Sequence, residues 1–208
     1  MPDQPLARVI LIGGASGSGK SRLAKHSGLP LLRLDDFYRE GDDPALPRLA
    51  SGEVDWDDAR SWHLDRAIEA LERLAYEGAT EVPAYDIASS SITGSRTLAL
   101  GGHRCFVAEG IFVADAIEAI RERGLLDDAL CVRRSRWITM GLRFLRDVRE
   151  ARKPIPTLLR RGLRLARREP GIVRALTERG FRPMSVRRIR ALLAARAGLA
   201  REVEPGAA

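Results

Sequence analysis

Residues Gly14-Ala15-Ser16-Gly17-Ser18-Gly19-Lys20-Ser21 match G-x-x-x-x-G-K-[ST] at every specified position. No other stretch narrows the choice of folds so far. Before it, Arg8-Val9-Ile10-Leu11-Ile12 is a β-branched and aliphatic run, the mark of a buried parallel strand. After it, Ser21 to His26 are good helix formers that stop at Gly28-Leu29-Pro30. Strand, glycine loop and helix in that order wrap successive backbone N–H groups and a helix N-terminus around a concavity suited to phosphate. Lys20 is placed to reach the β- and γ-phosphates, and the Ser21 hydroxyl to ligate Mg²⁺. A glycine-rich turn that bound nothing would have no use for Lys-Ser after its last glycine. The stretch points to a bound nucleoside triphosphate, with ATP and Mg²⁺ as the expected cofactors.

A chain of 208 residues built on such a unit suits one α/β domain with a core of its own. Its first residues, Met1-Pro2-Asp3-Gln4-Pro5, do not read as a signal peptide. No run approaches the ~18 apolar residues of a membrane span, so a cytoplasmic protein without membrane contact is expected. Cys105 and Cys131 fall in predicted strands without metal-ligand spacing and are expected as reduced core residues. His26, His63 and His103 form no ligand set.

The net charge of +7 conceals an asymmetry. Residues 1–132 carry 14 Lys/Arg against 22 Asp/Glu, and residues 133–190 carry 19 against 4. This divides the chain into a nucleotide-binding core over 1–132 and a basic helical lid and C-terminal segment over 133–190 that continues the same domain. Residues 191–208 then form a terminal helix end and a frayed tail. The basic helices could pack on the chain's own acidic face, or on a second subunit in a homo-oligomer. Nucleic acid is a less favoured partner, because the segment has few aromatics for base stacking and no recognised motif.

Along the chain, Leu29 to Leu34 is expected as the second strand, ending in Asp35-Asp36-Phe37-Tyr38. Carboxylates at the carboxyl end of a parallel strand sit where ligand chemistry occurs; either aspartate could ligate metal or take a proton, or simply cap a turn. Gly41 to Asp58 reads as a loop and Asp57 to Glu77 as an amphipathic helix, with Trp62 and Leu71 in the core. Thr80 to Tyr85 is expected as a strand followed by a Ser-rich loop to Ser95. Thr97 to Leu100 and Arg104 to Ala108 are expected to flank a hairpin-like turn at Gly101-Gly102. Glu109 closes that strand as a Walker-B-type carboxylate. Ala114 to Arg123 should be a helix and Ala129 to Val132 the last core strand. Basic helices follow around Lys153-Pro154, then a terminal helix from Met184 to Ala197 stopped by Gly198.

These residues together resemble the uridine kinase-like P-loop kinases, relatives of phosphoribulokinase and pantothenate kinase. The likeness runs from about Arg8 to Lys153: the phosphate loop, Asp35-Asp36-Phe37-Tyr38, Val54-Asp55-Trp56-Asp57, Pro83-Ala84-Tyr85-Asp86, Glu109-Gly110-Ile111 and Arg143-Phe144-Leu145-Arg146-Asp147. It implies a three-layer α/β fold of the P-loop NTPase type, with a mostly parallel sheet and a helical, Arg-rich lid. It also implies transfer of phosphate from ATP to a hydroxyl of a nucleoside or related small metabolite. Asp35 would be the base and a metal ligand with Ser21 and Glu109. Asp55, Tyr85 and Tyr38 would lie on the acceptor side, and Arg143 and Arg146 would close on the phosphates. Two departures stand out. Where uridine kinases place an aromatic residue and a histidine against the pyrimidine, this chain has Ile87 and Ser90. Where acidic residues are common after the last core strand, it has Arg133-Arg134-Ser135-Arg136. The family's usual final strand after the lid is not recognisable beyond Pro154.

Overall fold

The computed structural model describes residues 4–134 and 170–201. Five strands form one parallel sheet: β1 (Arg8–Gly13), β2 (Leu31–Arg33), β5 (Cys105–Glu109), β6 (Leu126–Arg133) and β7 (Arg182–Ser185), in the order β2-β5-β1-β6-β7. The central strand explains the layers. Alternation sends Val9 and Leu11 of β1 to one face and Ile10 and Ile12 to the other. The first face packs on α2 (Leu64–Glu77) and α3 (Val113–Glu122), through Leu71, Leu74, Ile117 and Ile120. The second packs on α1 (Lys20–Lys25) and on the last helix, Val186–Arg201, through Leu23, Ala24, Ile189 and Leu193. Two helical layers on a parallel sheet make a three-layer α/β domain. Cys105 and Cys131 are both buried in the core. Among the described residues no helix is long and apolar enough to cross a membrane.

Several sequence expectations change. The helix expected from Asp57 begins only at Leu64. Asp58 instead caps a 3₁₀ turn over Ala59–Ser61, its side chain accepting from the Arg60 N–H, and Trp62 follows in extended backbone. Trp62 bridges Tyr38 and stacks on Phe112 at 5.4 Å, so its burial comes from strand-like pairing although its spacing mimicked a helix. The Ser-rich loop is largely strand: β4 (Ser91–Ala99) pairs antiparallel with β3 (Ala79–Asp86) in a separate two-stranded sheet. Gly101-Gly102 therefore turns the chain from that hairpin into the main sheet and does not close a hairpin itself. The register slips between Pro83 and Tyr85, next to a residue with no N–H to give.

At the other end, β6 is not the last core strand. The chain is helical over 170–178, and Arg182–Ser185 then adds β7 parallel to β6, with Leu130 opposite Arg182. This four-residue strand containing Pro183 was illegible because proline breaks the strand pattern and a sheet edge tolerates it. Met184 thus belongs to a strand, and the terminal helix runs through Gly198 to Arg201.

Candidate active site

The site is built where the carboxyl ends of the parallel strands meet the phosphate loop. The loop leaves β1 at Gly13 and enters α1 at Lys20. Gly19 caps α1 at φ +95°, ψ 14°, a left-handed conformation that a side chain would strain. Lys20 is buried at 7% exposure. The Ser18 hydroxyl is fully buried and has no hydrogen-bond partner among the described residues. An orphan hydroxyl and a buried ammonium in one glycine loop suit an anionic ligand that supplies acceptor oxygens.

Glu109 closes β5 at 2% exposure, and the Ser21 hydroxyl donates to its Oε2 at 3.1 Å. Burial pushes the Glu109 carboxyl above its ordinary range. The nearby Lys20 charge pulls it down, and Asp35 adds to the upward push. Asp35 lies in a 3₁₀ turn, Leu34–Phe37, at the end of β2. Its Oδ1 accepts the Ile111 N–H at 3.1 Å. Gly110 permits this approach, since a Cβ there would stand 2.8 Å from Asp35 Oδ1 and from Leu34 Cβ. The choice between Asp35 and Asp36 is resolved by burial. Asp36 is 3% exposed and pairs with Arg33 at 3.6 Å and Arg96 at 3.3 Å. Its pKa is raised because desolvation outweighs both arginines. Asp36 is a buried structural carboxylate; Asp35 is the half-exposed one.

The donor set fits Mg²⁺ bound together with a triphosphate. Ser21, Glu109 and Asp35 offer oxygens only, and Mg²⁺ takes one or two carboxylates and completes its shell with phosphate and water. No cluster of three or more His, Cys, Asp or Glu that could cage a metal occurs among the described residues.

On the acceptor side, Tyr38 packs edge-on to Trp56 at 5.7 Å, against Tyr85 at 5.8 Å and against Phe112 at 5.7 Å. Both tyrosine hydroxyls are tied to backbone: Tyr38 donates to the Trp56 carbonyl at 3.2 Å and Tyr85 to the Arg39 carbonyl at 3.0 Å. Burial raises both phenols, Tyr38 far above its ordinary range with Asp35 adding to the rise. Asp55 adjoins this cluster through Trp56, and its Oδ1 accepts the Asp57 N–H at 3.1 Å. Ile87 is 68% exposed at the turn between β3 and β4. Ser90 has φ +52°, hydrogen-bonds Tyr85, and leaves only 3.0 Å between its Cβ and a Cβ built on Gly41.

The structure therefore brings together the phosphate loop, Glu109 and Asp35, and separately Tyr38, Tyr85 and Asp55. Arg143 and Arg146 lie outside the described residues. Sequence reasoning missed the outer wall of the site. An open cleft of about 830 Å³ extends from Gly17, Gly19 and Lys20 along α1, past Arg22 and His26, to Arg134, Val186, Arg190 and Leu193. Two signals were present: Arg134 directly follows a core strand's carboxyl end, and Val186, Arg190 and Leu193 share one helical face.

No family model matches the chain. It is 30% identical to a uridine kinase of Saccharomyces cerevisiae over 126 residues, 57% of this chain and 24% of that protein. It is 31% identical to inorganic pyrophosphatase TTM2 of Arabidopsis thaliana over 147 residues, 69% of this chain and 20% of the relative. The chain thus spans only a fifth to a quarter of the length of these curated relatives. Among solved structures, a putative fructose transport system kinase from Silicibacter sp. TM1040 superposes with a TM-score of 0.58. It covers 89% of this chain and 91% of its own at 18% identity, a likeness of fold.

Proposed function

We propose that this chain, which is similar to uridine kinase in sequence and to a sugar-kinase-like structure in fold, is an ATP- and Mg²⁺-dependent kinase of the uridine kinase-like P-loop type that phosphorylates a hydroxyl of a small metabolite. The observation that carries the reading is the junction of Ser21 with buried Glu109 beside Lys20, with Asp35 tethered to the Ile111 N–H across from it. Loop amides and Lys20 hold the donor's phosphates. Ser21 and Glu109, with Asp35, would hold Mg²⁺, which when bound neutralises charge on the phosphate oxygens. Asp35, half-exposed and acceptor-only when ionised, takes the proton of the attacking hydroxyl at its carboxylate oxygen. Tyr38, Tyr85 and Asp55 orient the acceptor; Arg143 and Arg146 are assigned to the charge of the transferring group.

The acceptor is a nucleoside or related polyhydroxyl compound carrying no phosphate. Arg33 and Arg96 both pair with Asp36 and Arg39 pairs with Asp43, so these cations are already engaged by carboxylates. Arg179 pairs with Asp115, Arg182 with Asp128 and Arg196 with Asp127, which supports packing on the chain's own acidic surface.

The test is ATP consumption with Mg²⁺ against nucleosides, sugars, pantothenate and phosphorylated metabolites, with no-acceptor and pyrophosphate-only controls. Strong stimulation by one unphosphorylated compound is expected. Phosphate release that no acceptor stimulates would sink the kinase reading, and hydrolysis of pyrophosphate alone would replace it.

A further inference from the structure

Arg134 is the first residue beyond β6, at the same edge of the sheet as the phosphate loop. Its guanidinium lies 3.9 Å from the point where a Cβ on Gly19 would stand, so only glycine's missing side chain separates it from the loop. The side chain is half-buried and lines the open cleft with Lys20, Arg22, His26 and Arg190. Among the described residues no carboxylate lines that cleft and none pairs with Arg134. Several arginines elsewhere in the fold do have acidic partners, among them Arg33, Arg39, Arg96, Arg123, Arg179 and Arg182. An unmatched, half-buried arginine beside a buried lysine is a repulsive arrangement that an anion relieves.

We infer that Arg134 binds the donor's phosphates directly, as a cation anchored to the core sheet. This rests on the donor reading given above. Arginine's planar fork suits two phosphate oxygens at once. Because it is held by β6, it contributes this charge whether or not any other segment has closed. Donor affinity is therefore built into the core.

The experiment titrates ADP, and separately inorganic tripolyphosphate, into the full chain and into Arg134→Gln, Arg134→Lys, Arg133→Gln and Lys20→Ala. Arg134→Gln should weaken both ligands about 10- to 100-fold, the worth of a charge-assisted contact. Its ligand-free melting temperature should not fall. Arg134→Lys should recover part of the affinity, and the exposed neighbour Arg133 should be silent. Unchanged binding in Arg134→Gln, with both ligands lost in Lys20→Ala, overturns the inference and leaves the donor site standing. Weaker ADP with unchanged tripolyphosphate also overturns it, by moving Arg134 to the nucleoside. Weaker binding with a lower melting temperature and no recovery in the lysine variant assigns a structural role instead. If the unsubstituted chain binds neither ligand, the donor reading falls as well.

Discussion

The two sides of the sheet's carboxyl edge are made in opposite ways. On the side of the phosphate loop, Arg22, Arg134 and Arg190 line the cleft with no carboxylate among the described lining residues, and the Ser18 hydroxyl is buried without a partner among the described residues. On the side proposed for the acceptor, arginines meet carboxylates, tyrosine hydroxyls meet carbonyls, and Trp56, Tyr85 and Trp62 pack on Tyr38 and Phe112. The donor side is stable only with a ligand in mind, whereas the acceptor side is satisfied on its own. The difference teaches where selectivity resides. Unmatched charge binds any phosphate chain of the right length, while a satisfied aromatic wall accepts only a shape that leaves its bonds intact.

Substitutions on each side should accordingly fail in different ways. Lys20→Ala should lower turnover by about 10³-fold or more and abolish ADP binding in a calorimetric titration; binding at wild-type strength would misplace the donor site. Asp35→Asn should keep ADP binding and lose transfer by about 10²- to 10⁴-fold, since the hydroxyl proton loses its acceptor. Equal loss of binding and transfer would make Asp35 a donor-side group alone.

Glu109→Gln should divide stability from activity. The Glu109 carboxyl is raised by burial, so the folded chain holds its proton more tightly than the unfolded chain. The stability linked to this group is present below the ordinary Glu pKa of about 4.3 and lost as pH rises through the folded value. The glutamine, neutral throughout, should therefore stabilise the ligand-free protein at pH 7, with the gain shrinking toward pH 4, while Mg²⁺-dependent turnover collapses. A melting temperature lowered at pH 7 would mean that Lys20 and Ser21 outweigh burial. Smallest is Tyr85→Phe, which removes the bond to the Arg39 carbonyl and should cost about 0.5–1.5 kcal/mol of stability. Its KM should rise for the acceptor and stay unchanged for ATP; a shift in the ATP value alone would place Tyr85 on the wrong side.

The donor half was legible because its chemistry is local. A phosphate loop is consecutive residues, and β1 and β5 are apolar runs whose last residues are the functional ones. From the residues alone Asp35 and Asp36 were interchangeable and only the resemblance favoured Asp35; in the fold it is Asp36 on which Arg33 and Arg96 converge. Trp62 misled because a helix and an extended chain can bury the same side chain, and only the bridge to Tyr38 decides. The β3–β4 hairpin was hidden by its exposure: β4 carries serines and threonines on a strand with little core to face, so period-two hydrophobicity is absent. Arg134 and Arg190 were overlooked for a different reason. In a chain so rich in arginine, composition says nothing about which guanidinium lacks a partner.

The pairing of β6 with β7 joins Arg133 to Ser185 across some fifty intervening residues. Val186, Arg190 and Leu193, which wall the cleft beside α1, follow that pairing directly. During synthesis the phosphate loop and its carboxylates can therefore take shape long before the nucleotide cleft is walled. A nascent chain would hold a working-looking loop with one side open to water until its last helix emerges and docks. Pairing at such sequence separation is slow to close, and a nucleotide that binds only the finished cleft would draw that final docking to completion by mass action. The ligand would then act on maturation as well as on catalysis.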